Sequence, residues 1–282
     1  MSEAPHNLPT VTTIDFPALP DALPPGRLVH AAEDLPNHPQ RPLLWMSDEP
    51  VEGVAAEWTR LRADHERTGL YPVLLEHDPD RGWDDRWYLA DNTGDLDVDP
   101  ESALRTLWAQ LQEDLEPEED DEDEIPEEEW PAGPWPGLAR AGTSDDSPEA
   151  MADEFAVYLQ GSDDFHGRTR RWRLGLIPAD DGADALTLAG WDGPCNHTTA
   201  IELISAVLRT WGERFGARVV GLGPDMLWLS VARPPQDLDH ARAVTLEHFA
   251  FCPDNLWQSD NNTVDKYASS LIGVNVWTFW WD

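Results

Sequence analysis

Residues 248–282 read HFAFCPDNLWQSDNNTVDKYASSLIGVNVWTFWWD, a stretch that gathers Trp257, Trp277, Phe279, Trp280 and Trp281 near one chain end. Chain ends are usually polar and frayed, so an end this rich in indoles is expected to lie inside a globule as scaffolding. Val274 to Trp281 reads as a strand. Within it Trp277, Phe279 and Trp281 alternate with Val276 and Trp280, so both faces are apolar and both need cover.

Working backwards from that strand, Val264 to Leu271 reads as a short helix. Pro234, Pro235 and the capping Asp237 open a longer one that runs to about Ala250. Ala217 to Gly221 and Met226 to Val231 flank a Gly-Leu-Gly-Pro-Asp turn and form a hairpin. Thr199 with Glu202 has the pattern of a capping box ahead of Ile201, Ile204, Leu208, Trp211 and Phe215, and Gly216 closes that helix. Arg173 to Pro178 supplies a first strand. The resulting order, β-α-β-β-α-β, predicts an α+β domain with a ferredoxin-like layout.

Upstream, Ser147-Pro148 opens a helix with Met151, Phe155, Tyr158 and Leu159 on its apolar side. Residues 113–129, EDLEPEEDDEDEIPEEE, hold thirteen acids in seventeen positions and two prolines. Like charges at that density cannot pack together, so a linker is expected there. Before it, Leu43 to Met46, Leu70 to Leu75 and Trp87 to Leu89 read as strands. One helix carries Val51, Val54, Trp58 and Leu61 and ends at Gly69. A second opens at Asp99-Pro100 and buries Leu104, Leu107, Trp108 and Leu111. The chain therefore divides into a flexible segment at 1–24, a small α/β unit at 25–112, an acidic Pro-rich linker at 113–140 and an α+β domain at 141–282.

Composition narrows the function. The 282 residues carry 55 acids against 19 Lys and Arg, a net charge of −36. Such a field repels phosphate backbones and anionic lipid, which argues against nucleic acid and membrane surfaces and for a basic protein as partner. There is no apolar run of spanning length and no signal-peptide pattern, and only two cysteines occur, so a cytoplasmic protein of unspecified oligomeric state is expected. No P-loop, nucleophile elbow or His-Glu-x-x-His motif is present.

The residue types that could carry chemistry cluster in two places. Cys195-x-His197 and His248-x-x-x-Cys252 are the ligand types of tetrahedral zinc, although the first spacing is tight for one ion. His248 lies one helical turn before Cys252, as a base beside a thiol nucleophile would, with Asp254 as the carboxylate. The thiol would then sit at a helix C-terminus, where the dipole opposes a thiolate. Trp191, Asn196, Trp257 and Asp282 are candidate binding residues around the same loops. No cofactor is implied.

From about Arg173 onward the chain resembles a bacterial family, domain of unknown function 4253. The residues that carry the resemblance are Gly190-Trp191 with Asn196, Arg209-x-Trp211, Arg233-Pro234-Pro235, AFCPDNLWQ (250–258) and VWTFWWD (276–282). It implies a compact α+β domain and transfers no activity. Three functions follow as expectations. The first is a non-catalytic module that binds a basic partner, immunity- or inhibitor-like by charge. The second is an enzyme with a site between the Gly190–His197 loop, the Cys252–Trp257 loop and the last strand. The third is a zinc-stabilised structural module.

Overall fold

The computed structural model describes residues 16–30, 42–77, 95–114, 130–164 and 167–282. The expected strand at 87–89 and nearly all of the acidic run at 113–129 lie outside the described residues. Among the described residues seven strands form one mixed sheet, in the order β1-β2-β4-β3-β5-β6-β7. They are β1 (Gly26–Val29), β2 (Leu44–Ser47), β3 (Leu70–His77), β4 (Arg171–Pro178), β5 (Ala217–Leu222), β6 (Met226–Val231) and β7 (Val276–Trp280). All neighbours run antiparallel except β3 and β5.

The centre of the sheet follows from its sequences. β3, LYPVLLEH, and β4, RWRLGLIP, are apolar on consecutive residues, as strands covered on both faces must be. They pair over eight positions, Leu70 opposite Pro178 through to His77 opposite Arg171. Gly175 sits where a Cβ would come within 2.8 Å of the Val73 and Leu75 side chains, so only glycine allows this approach.

Helices cover both faces. On one side α1 (Val54–Ala63) and α4 (Pro148–Gln160) pack over Leu70, Leu74, Trp172 and Trp228. On the other lie α3 (Pro100–Asp114), α5 (Gly182–Ala189), α6 (Ile201–Phe215), α7 (Leu238–Phe251) and α9 (Val264–Leu271), over Tyr71, Val73, Leu75 and the strand β7 aromatics. Two single-turn helices, α2 (His65–Thr68) and α8 (Asp254–Trp257), complete the helices among the described residues.

This layering accounts for the two apolar faces of β7. Trp277, Phe279 and Trp281 enter the larger core, while Val276 and Trp280 pack against the smaller one. Trp211 of α6 is the hub of the larger core. It stacks on Phe279 at 5.4 Å between centroids and meets Trp277 edge-on at 5.3 Å. Its indole N–H donates to the Glu247 carboxylate at 2.7 Å. That carboxylate, 0% exposed, also takes a forked pair of bonds from Arg214 and one from the Ala139 amide. Every lone-pair direction of the buried charge is answered, which is the condition under which such a group is tolerated.

Most local expectations are met. Gly216 ends α6 in the left-handed conformation, and Gly69 likewise ends the single-turn α2, while the helix of Val54, Trp58 and Leu61 already stops at Asp64 and leaves Val51 outside. Ser147, Asp99 and Asp237 accept bonds from first-turn amides. Four features differ. The sheet is α+β but not in ferredoxin-like order, in which the first strand would lie between the third and fourth. Here β3 enters between β4 and β5, and β5, β6 and β7 lie side by side antiparallel, with α7, α8 and α9 between β6 and β7 in the chain. Thr199 does not cap α6: the cap is Ala200, without a side-chain bond. On α4 the buried stripe is Ala152, Phe155, Ala156 and Leu159, while Tyr158 is 66% exposed. Finally, β1 and α5 have no counterpart in the sequence reading.

Candidate functional site

The Gly190–His197 loop, the Cys252–Trp257 segment and β7 do converge, and Asp254 is where they meet. Gly190 ends α5 in the left-handed conformation. Trp191 then turns inward, donating its indole N–H to the Gly223 carbonyl at 2.8 Å and meeting Trp281 edge-on. Gly193 lies against the Trp191 ring, where any Cβ would clash. The Pro194 carbonyl accepts from the amides of His197 and Thr198, folding the loop back. On the other side α7 stops at Cys252, Pro253 begins α8, and this sharp bend aims Asp254 and Asn255 back at the sheet.

Asp254 is 3% exposed. One of its oxygens accepts from His197 Nε2 at 2.7 Å and from the Asp282 amide at 3.0 Å, and the other accepts from Gln258 at 3.2 Å. Burial alone would raise its pKa, but these donors outweigh it and hold the carboxyl below its ordinary value. Because a carboxylate only accepts, the His197 proton sits on Nε2.

Asn255 does something different. Its Nδ2 donates to the Thr278 carbonyl at 2.8 Å and its Oδ1 accepts the Trp280 amide at 3.2 Å. These are backbone groups on the outer side of β7, which is an edge strand. The Cys252 thiol adds a bond to the Trp280 carbonyl at 3.0 Å. Together the two side chains occupy the hydrogen-bonding positions that another strand would otherwise fill. The Asn255 amide also donates to the Tyr267 hydroxyl, whose own proton is then free for His248 Nδ1 at 3.1 Å.

The chemistry open to these groups is limited. His248 is buried among the rings of Trp211, Trp277 and Phe279, and burial pushes its pKa down to about 3, so the imidazole is neutral. Burial likewise pushes the Cys252 thiol well above its ordinary value. Cys195 is exposed, yet desolvation and the nearby Asp192 raise its thiol too. Asp192 is itself raised to about 6 by burial. Cys195, His197, His248 and Cys252 do not assemble as ligands: His197 is held by Asp254, His248 by Tyr267, and Cys252 by Trp280. Among the described residues no three His, Cys, Asp or Glu side chains are grouped to hold a metal.

Of the candidate binding residues, Trp191 is buried and Asn196 is exposed. Trp257 is half-buried against Trp130 and Phe249, and Asp282 contributes its backbone amide. None of them lines the cleft of about 540 Å³ that opens beside α5, α6 and the start of β5. Asn255 and Glu247 were not singled out from the sequence. For Asn255 the available signal was its place one residue past Pro253-Asp254. For Glu247 it was an acid on an otherwise apolar helix face.

Residues 173–282 match the family model described as Domain of unknown function (DUF4253). The match begins inside β4 and ends on Asp282, so it spans the junction and most of the cleft. No curated protein and no solved structure matches the chain. Among the described residues no helix is long and apolar enough to cross a membrane.

Proposed function

We propose that the protein is a non-catalytic interaction module whose partner is a basic protein. The observation that supports this reading is the way its few cations are used. Most described arginines are turned against the chain's own carboxylates, from the Arg62–Asp153 and Arg214–Glu247 forks to the surface pairs of Arg60 and Arg242. With the cations spent internally, the excess behind the net charge of −36 is left to face solvent. A field of that sign steers cationic surfaces toward it and weakens with salt. The two free cysteines fit a reducing, cytoplasmic setting.

The test is capture of partners by the tagged full chain from native lysate at low and at high salt. A basic protein retained at low salt and released at high salt is expected. Recovery of no basic protein under either condition would remove the reading.

A second reading, an enzyme acting at the junction, draws support from the His197–Asp254 pair, since a buried carboxylate that fixes an imidazole is how general bases are oriented. On that reading His197→Gln abolishes an activity and leaves the melting temperature unchanged. If the melting temperature falls instead, the pair is a latch on the chain end.

A further inference from the structure

The cleft of about 540 Å³ lies within the range of small-molecule sites. Its floor is apolar, formed by Leu208, Val219 and Leu229. Its walls carry three arginines and three acids, which makes it locally balanced in a strongly acidic chain. Pairing inside the protein removes part of that charge. Arg218 donates to Glu149 at 3.0 Å, and Arg209 is taken by Asp184 and by the carbonyls of Leu96 and Val98. What remains on the lining is Arg233, Asp181 and Glu213.

Arg233 is well placed to receive a ligand. Its backbone amide donates to the Phe215 carbonyl at 2.8 Å. Gly142 packs so tightly on its carbonyl that a Cβ there would lie 1.8 Å away. The two prolines that follow fix the chain beyond it. The guanidinium itself makes one bond, from Nη2 to the Glu213 carbonyl at 3.0 Å, so Nε and Nη1 keep their donors. A half-buried guanidinium with unused planar donors suits a carboxylate. Glu213 and the second oxygen of Asp181, whose Oδ1 accepts the Ala183 amide at 2.7 Å as the cap of α5, suit an ammonium.

We propose that this cleft binds a small amphoteric molecule of dipeptide size, its carboxylate on Arg233, its ammonium between Asp181 and Glu213, and an apolar side chain on the Leu208–Val219–Leu229 floor. The site is independent of the basic-partner reading, since it asks for a small ligand and uses an arginine of the cleft whose guanidinium bonds a backbone carbonyl.

Calorimetric titration of the full chain with leucyl-leucine tests it, beside two blocked probes: N-acetyl-leucyl-leucine, which lacks the ammonium, and leucyl-leucinamide, which lacks the carboxylate. Saturable one-to-one binding of leucyl-leucine is expected, with each blocked probe at least about tenfold weaker. Arg233→Ala should lose at least about tenfold toward leucyl-leucine while leaving the weak affinity for leucyl-leucinamide unchanged, a split that general damage to the fold would not produce. Absence of binding up to about 10 mM would overturn the proposal. Equal binding of all three probes, or an undiminished Arg233→Ala variant, would overturn it as well.

Discussion

The junction around Asp254 and the cleft around Arg233 are both rich in polar side chains, yet they use them in opposite ways. At the junction the polar atoms of Asp254 and Asn255 and the thiol of Cys252 are answered from within the chain, while the buried ring nitrogens His248 Nε2, Trp257 Nε1 and Trp281 Nε1 have no hydrogen-bond partner. In the cleft ion pairing stops short, leaving Arg233, Glu213 and one oxygen of the α5 cap Asp181 without an opposite charge. Both cysteines of the sequence lie at the junction, whereas the cleft is lined mostly by common types such as Arg, Glu, Gly and Leu. Oddity of composition therefore marks what is hard to build, and unspent charge marks what is left for a ligand.

That contrast can be broken by mutation, beginning where the largest effect is expected. Glu247→Ala strands the Arg214 guanidinium and the Trp211 indole in the aromatic core and should cost about 3–5 kcal/mol in chemical denaturation. A loss below about 1 kcal/mol would mean that the network is not integral to the core. Asn255→Ala uncaps the outer edge of β7. About 1–3 kcal/mol should be lost, and light scattering should report self-association through the freed edge. Unchanged scattering and unchanged stability would show that the edge needs no cap.

Acid sharpens the comparison further. The His248 pKa is depressed from 6.5 to about 3, so below about pH 6.5 the unfolded chain takes up a proton that the folded chain refuses. Stability should therefore fall as pH drops from about 6.5 toward about 3, this group adding a slope near 1.4 kcal/mol per pH unit. His248→Phe should remove that portion of the slope, and an identical pH profile in the variant would place the acid sensitivity elsewhere. Smallest of all, Arg233→Ala should stay within about 0.5 kcal/mol of the parent, because its side chain makes one bond. A loss of about 2 kcal/mol or more would make the cleft architecture like the junction.

What could be read in the sequence was local. Glycines after helices, Ser147 and Asp237 before them, and the two-faced apolar run of β7 each report on their own neighbourhood, and the structure has them in place. Strand order is long-range, and nothing in the β4 sequence says that its neighbours lie about a hundred residues earlier. α5 escaped notice because GADALTLA is short and rich in small residues. Its signals were Asp181 as cap and Gly190 as terminator, both present but separated by barely two turns. The candidate site was half legible: the three segments do come together, but the roles of Asn255 and Glu247 depend on which backbone and side-chain groups face them. The cleft was not legible at all, since its residues come from five separate stretches of chain.

The position of β3 has a consequence for any relative that shares the matched residues. Both hydrogen-bonding flanks of β4 are occupied by β2 and β3, which precede the match, and β5 relies on β3 for one of its two partners. A polypeptide trimmed to residues 173–282 would hold a severed β4 and a three-strand remnant with a new raw margin. In this chain the slot between β4 and β5 is filled by β3, a donor strand brought from the leading segment outside the match.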